Sequence, residues 1–358
     1  MASRTWRSAA LLWATLGAAP ALGAAAVDAE DFGPVIAVAS QPFGDLGSFM
    51  YAWYVKWLDA HGARVVPLFY DAPREEVASL LARVNGVLLP GGPTDIMYDD
   101  AAYAIMTKFV WDTALEARMP LWGTCLGFEQ MLLWSSGEAF PGPLTEGWNS
   151  TMYFAPLNLT QQLPEGSMFE EWPESVRQAA AQSQWTWHSH HWAVTPEDFE
   201  QRPAMRDFWQ VLATNVDRRG KEFISVVQAR NGLPFFGVQF HPEKAANEWE
   251  VSFRQEQYFT GKLPSTSEGA IDAMNRFAAF FVRQARGFRG FAFTPEEFWE
   301  ASILNWSPQF PVGVEHIKKL PPRAQYYFFP KWSAAGAAGR PQPPPVAQPF
   351  SEAATFYP

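Results

Sequence analysis

Between residues 34 and 137, short apolar runs alternate with stretches whose apolar residues recur at helical spacing. Residues 34–40 (PVIAVAS), 63–69 (ARVVPLF) and 86–89 (GVLL) are compact apolar runs, the pattern of strands buried on both faces of a parallel sheet. Residues 49–60 and 73–83 carry helical periodicity between them. Ser48 is placed to cap the first of these helices, and Pro73 suits the first turn of the second. A longer helix is predicted over 98–118, then a short strand at Leu121 and Trp122, then an apolar helix over 128–134. This alternation predicts an α/β fold: three layers, with a doubly wound, mostly parallel sheet flanked by helices. In such folds the site lies at the carboxyl ends of the strands, and both Gly92 and Cys125 fall just past such ends.

Residues 138–182 break the rhythm and read as turns and short irregular pieces. Strands return at 209–214 and 223–228 (FISVVQ), and Asn231-Gly232 signals a hairpin into the strand 234–240 (PFFGVQF). Residues 268–286 form a strongly periodic apolar helix suited to packing on the sheet. Residues 287–330 read as aromatic and partly helical, and 333–349 are rich in Ala, Gly and Pro, with polyproline character. The organisation predicted is a signal peptide over 1–26, one catalytic domain over 27–330 and a disordered tail over 331–358.

Composition narrows the class. With 48% hydrophobic and 18% charged residues, the 358-residue chain has the makings of a sizeable core. Its net charge of −10 and the absence of a basic run argue against a nucleic-acid partner. Arg4 and Arg7 precede an apolar run over 8–22 and then small residues, which reads as a cleaved signal peptide rather than a stable membrane anchor. Three N-x-S/T sequons, at Asn149, Asn158 and Asn305, fit glycosylation on the secretory route. Extracellular, lysosomal and vacuolar destinations share that route, and a homodimer is left open. A chain with one cysteine has no internal disulfide, and an unpaired thiol in an oxidising compartment points to catalysis.

That cysteine is Cys125, in PLWGTCLGFEQ over residues 120–130. Strand, tight Gly-x-Cys-x-Gly turn and helix set a thiol on a sharp bend, as in the nucleophile elbow of serine hydrolases. Gly123 and Gly127 suit a bend that needs unusual dihedrals and close backbone approach. The helix N-terminus is expected to favour thiolate over thiol. A buried core cysteine is the plain alternative. His241 closes a predicted strand, and Glu243, two residues on, would point to the same side of an extended segment and orient the imidazole. FHPEK read alone is equally a solvated surface turn. The backbone N–H groups of Leu126 and Gly92 are candidate oxyanion donors, with a plain turn at Gly91-Gly92 as the equal alternative. No Cys/His set has zinc-like spacing, so no metal and no cofactor are expected.

LLPGG (88–92), WGTCLGFE (122–129) and GVQFHPEK (237–244) resemble the class I glutamine amidotransferase fold, and more narrowly the gamma-glutamyl hydrolases, or folate conjugases. The narrower resemblance rests also on VKWLDAHGARVVPL (55–68), PLNLT (156–160), SHHWAV (189–194), FWQVLATN (208–215), EFISVVQA (222–229) and EKAANEWE (243–250). It runs from about Pro34 to about Phe329, more weakly after residue 287. It implies Cys125 as nucleophile, His241 as base and Glu243 as third member of the triad, with His190 near the substrate. His188 and His191 are read as ordinary polar residues. One departure is GSFMYAW (47–53), which keeps only Tyr51 where the family is tyrosine-rich; the Pro-rich tail is another. The reaction implied is hydrolysis of gamma-linked glutamate amides in folylpoly-gamma-glutamates, through a thioester and without a metal. Lys244 is a candidate basic residue for the polyanionic substrate, with a solvated charge as the alternative. The competing readings are an amidase for other small gamma-glutamyl amides and an inactive binding protein on the same fold.

Overall fold

The computed structural model describes residues 32–94, 101–247, 266–288, 293–310 and 324–332. The expected signal peptide and the tail from residue 333 lie outside the described residues. All the described elements from Pro34 on belong to one unit.

The sheet is built from β1 (Val35–Ala39), β2 (Arg64–Leu68), β3 (Gly86–Leu89), β4 (Leu121–Thr124), β5 (Asn158–Leu159), β6 (Trp209–Val216), β7 (Glu222–Ala229) and β8 (Phe235–Val238). Their order is β2-β1-β3-β4-β8-β7-β6-β5. The first five in that order run parallel. The remaining pairings are antiparallel, including the β7–β8 hairpin. Asn231 and Gly232, at φ 58° and 65°, make its turn as predicted, because both central residues of such a turn need positive φ.

The helices are α1 (Ala52–Asp59), α2 (Arg74–Leu81), α3 (Ala102–Ala117), α4 (Leu126–Ser136), α5 (Glu174–Gln182) and α6 (Glu268–Gly287). Side chains alternate across the sheet, so neighbours in one strand serve different cores. Phe236 joins Trp122, Ile36 and Val38 in the cluster that α1 and α6 cover with Trp57, Phe277 and Phe281. Phe235, one residue earlier, packs edge-on to Trp111 of α3 on the opposite face, its ring centre 5.0 Å away. Both faces of the sheet are thus covered, as the continuous apolar strands require.

Three sequence expectations need correction. The helix expected over 49–60 begins only at Ala52, and Ser48 is not its cap. Ser48–Tyr51 is a strand that pairs antiparallel with Tyr326–Phe329, nearly 280 positions away, and with Gln41–Pro42. Helical spacing in that segment lost to a partner that local pattern cannot reveal. The irregular stretch 138–182 contains α5, and the aromatic stretch 287–330 contains the strand Tyr326–Phe329.

Candidate active site

β4 runs straight into α4 with one residue between them, and that residue is Cys125. It takes φ 49°, ψ −102°, a conformation L-residues rarely adopt. The strain therefore sits on the cysteine itself. Gly123 and Gly127 do a different job: a Cβ on Gly123 would lie 2.5 Å from Met131 Sδ, and one on Gly127 would run into the Leu89 carbonyl. They let α4 lie close on the sheet, while neither takes a positive φ. The Cys125 N–H donates to the Val238 carbonyl at 2.9 Å, and its carbonyl opens α4 by accepting from Glu129 N–H at 2.8 Å. Both bonds pin the bend.

The thiol is buried, and this reverses the thiolate expectation. Burial pushes the Cys125 thiol well above its ordinary range, and the charges of Glu129 and Glu243 push it further. The N–H of Leu126 and the Lys244 ammonium pull the other way. A helix N-terminus is worth about 0.3–1 kcal/mol to an anion. Stripping a charge of water costs several kcal/mol, so burial wins. The resting sulfur is a thiol that needs a base.

The candidate base stands in the same cleft. β8 ends at Val238, and residues 241–243 form a turn that leads into the short helix Lys244–Asn247. The extended geometry expected for His241 and Glu243 is therefore replaced by a turn, yet the pair still forms: His241 Nδ1 donates to Glu243 Oε1 at 2.7 Å. A carboxylate only accepts, so Nδ1 carries a proton, and in the neutral imidazole Nε2 is then the acceptor. The surface-turn alternative for FHPEK fails, because His241, Glu243 and Lys244 are 8%, 0% and 9% exposed. The His241 N–H is anchored on the Trp187 carbonyl at 2.9 Å. Lys244 is not a solvated charge: its Nζ lies 3.6 Å from the ring centre of Trp187 and 4.4 Å from that of Trp53. Two indole faces offset part of the desolvation of that ammonium.

Cys125, Leu126, Gly92, His190, His241 and Glu243 all line one cleft of ≈ 560 Å³, within the size range of small-molecule sites. Every candidate catalytic, oxyanion and substrate residue read from the sequence is thus brought together. His190 Nδ1–H donates to the Trp192 carbonyl at 2.8 Å, which leaves a bare, buried Nε2. Burial drops its imidazole to about 3, so His190 is a neutral acceptor. His188, read as ordinary, is fully buried and bonds through Nε2 to Thr186 Oγ1, whereas His191 is exposed. All three sequon asparagines are exposed; the Asn158 amide, in β5, donates to Thr214 and Glu222, and the Asn305 amide donates to the carbonyls of Trp299 and Glu300.

Sequence reasoning missed three residues here, Glu129, Tyr54 and Gln41. Glu129 stands one helical turn past Cys125 and lines the cleft; its Oε1 accepts from Gln239 Nε2 at 2.8 Å, and burial raises its carboxyl to about 8. The i,i+4 spacing from the cysteine was the available signal. Tyr54 and Gln41 reach the glycine loop after β3, and nothing in their local sequence announces it. Gly91, beside Gly92, lies so close that a Cβ there would be 2.6 Å from His241 Cε1 and 2.9 Å from Cys125 Cβ. Among the described residues, no three His, Cys, Asp or Glu side chains gather as a metal site would need. The same residues include no helix long and apolar enough to cross a membrane.

Residues 45–259 match the family model described as glutamine amidotransferase class-I. Gamma-glutamyl hydrolase B of Dictyostelium discoideum is 29% identical over 300 residues, covering 80% of this chain and 82% of that protein. The gamma-glutamyl hydrolases of Bos taurus and Homo sapiens are 31% and 32% identical, each alignment covering 76% of this chain and 81% of the relative. The chain belongs to the class I glutamine amidotransferase family and, within it, to the gamma-glutamyl hydrolases.

Proposed function

We propose that this protein hydrolyses the gamma-glutamyl amide bonds of folylpoly-gamma-glutamates, with Cys125 as nucleophile, His241 as base and Glu243 as the group that orients it. The observation that carries the reading is the convergence in one cleft of a strained buried thiol and a His–Glu pair bonded at 2.7 Å. Nε2 of His241 takes the thiol proton as sulfur attacks the gamma-carbonyl carbon. The carbonyl π-electrons move to oxygen, and the oxyanion is held by the N–H groups of Gly92 and Leu126. The intermediate collapses, the C–N bond breaks, and His241 hands the proton to the departing amine, a glutamate or shorter polyglutamate. Water, activated by the same imidazole, then cleaves the thioester and restores the thiol. Lys244 is placed to meet a substrate carboxylate, and the aromatic lining from Tyr51, Trp187 and Trp192 suits an aryl group.

The chain is read as entering the secretory pathway through residues 1–26, with 27–330 as its catalytic unit and 331–358 as a tail. The sequon at exposed Asn149 supports that route.

The test is mass spectrometry of products from pteroylpentaglutamate, with Cys125→Ala alongside, between about pH 4.5 and 7.5. Wild type should shorten the glutamate chain and the variant should leave it intact. Folded, reduced wild type that leaves the chain intact yet cleaves small gamma-glutamyl amides would shift the substrate to those amides. Cleavage of neither would leave an inactive binder.

A further inference from the structure

We propose that Tyr54 and Gln41 are positioning residues for the oxyanion loop: they clamp the two peptide planes that flank Gly91, so that the Gly92 N–H is held toward the cleft. The first plane, between Pro90 and Gly91, is fixed by the Gly91 N–H, which donates to Tyr54 Oη at 2.8 Å. The second, between Gly91 and Gly92, is fixed by the Gly91 carbonyl, which accepts from Gln41 Nε2 at 3.3 Å. In a trans peptide the C=O and N–H point in opposite directions. Pinning the Gly91 oxygen to Gln41 therefore turns the Gly92 N–H away from Gln41. Among the described residues that N–H has no hydrogen-bond partner, and Gly92 lines the cleft beside Cys125.

The clamp answers a specific weakness. A Gly-Gly pair is the most freely rotating dipeptide a loop can contain, and an oxyanion donor works only when it is already aimed. Glycine cannot be replaced at either position to stiffen the loop. A Cβ on Gly91 would strike His241 and Cys125, and one on Gly92 would strike the Gln41 carboxamide. Rigidity has to come from outside, and both clamping side chains are buried, at 0% exposure for Tyr54 and 1% for Gln41. They come from different elements: Tyr54 from the first turn of α1, Gln41 from the small sheet that follows β1. Burial and the nearby Glu243 charge hold the Tyr54 hydroxyl protonated, so its oxygen stays a neutral acceptor.

The inference rests on the hydrolase reading above, and its test separates the two. Hydrolysis of a gamma-glutamyl amide builds an oxyanion, whereas alkylation of Cys125 by iodoacetamide does not. Tyr54→Phe should lower kcat for hydrolysis about 10- to 100-fold with KM within about threefold, less than the roughly 100- to 1,000-fold that outright loss of an oxyanion donor costs, because the N–H is loosened rather than removed. Its alkylation rate should stay within about twofold of wild type. Gln41→Met, which removes the bond to the Gly91 carbonyl together with the contact to the buried Tyr103 hydroxyl, should show the same split. It also carries the test alone if Tyr54→Phe does not fold. Unchanged kcat, or hydrolysis and alkylation falling together, would overturn the clamp. A wild type that alkylates but cleaves no gamma-glutamyl bond would overturn the hydrolase reading and the clamp with it.

Discussion

Nδ1 of His241 lies 2.7 Å from Oε1 of Glu243, and a turn rather than a strand brings them together. Glu243 is fully buried and the imidazole nearly so. The hydrogen bond therefore fixes the tautomer in a place where water cannot substitute for it. Glu243→Gln keeps the shape but can offer an N–H to Nδ1, which puts the imidazole proton on the wrong nitrogen. The kcat for gamma-glutamyl hydrolysis should fall on the order of 100-fold or more, with KM little changed. Steady-state kinetics with Glu243→Gln and Glu243→Asp side by side check this, since the aspartate keeps an acceptor and should retain more activity.

How far the sequence reaches is visible around this pair. The parallel strands were readable because runs such as VIAVA and GVLL are buried on both faces and need no partner to explain them. Cys125 and His241 were readable because each ends an apolar run that the fold class places at the sheet's carboxyl edge. Ser48–Tyr51 was not, because its strand character comes from pairing with Tyr326–Phe329. The thiol's protonation state was misread for a similar reason. A helix N-terminus is visible in sequence, but the burial that outweighs it is not. Tyr54 and Gln41 act through backbone atoms of Gly91, and a bond to backbone leaves no mark on its partner's identity.

Gly91 is the tightest point of the site. Gly91→Ala puts a methyl 2.6 Å from His241 Cε1 and 2.9 Å from Cys125 Cβ, closer than carbon atoms tolerate. Something must shift, and the neighbours are the proposed base and nucleophile. Overpacking of this kind costs about 1–3 kcal/mol in stability. Activity should drop more than about 100-fold while thermal unfolding shows a folded protein of lowered Tm. Activity within about threefold of wild type would mean that the loop is free to move aside.

Lys244 should act on binding rather than chemistry. Its ammonium sits between Trp53 and Trp187 in the cleft that Cys125 lines. Lys244→Met keeps the packing against both indoles and removes the charge. For substrates bearing a free carboxylate beside the scissile bond, KM should rise about tenfold or more while kcat changes by less than about threefold. The same substrate amidated at that carboxylate should show no difference between variant and wild type, and a loss of equal size on both substrates would count against an electrostatic role.

Glu129 gives stability a pH dependence of definite sign. Burial raises its carboxyl from 4.5 to about 8, with the hydrogen bond from Gln239 only partly opposing. The folded state therefore holds a proton that the unfolded chain releases above about pH 4.5. Below that pH both states are protonated and nothing is lost. Between there and about pH 8 the folded state binds more protons than the unfolded one, so stability falls as pH rises. Each pKa unit is worth about 1.4 kcal/mol, which makes the whole ramp on the order of 5 kcal/mol. Glu129→Gln cannot ionise, and its carbonyl can still accept from Gln239. Denaturant unfolding at pH 5, 6, 7 and 8 should show wild type losing stability up the series and Glu129→Gln losing much less. The variant should overtake wild type at the alkaline end; parallel curves would mean that Glu129 is already ionised in the folded protein at low pH.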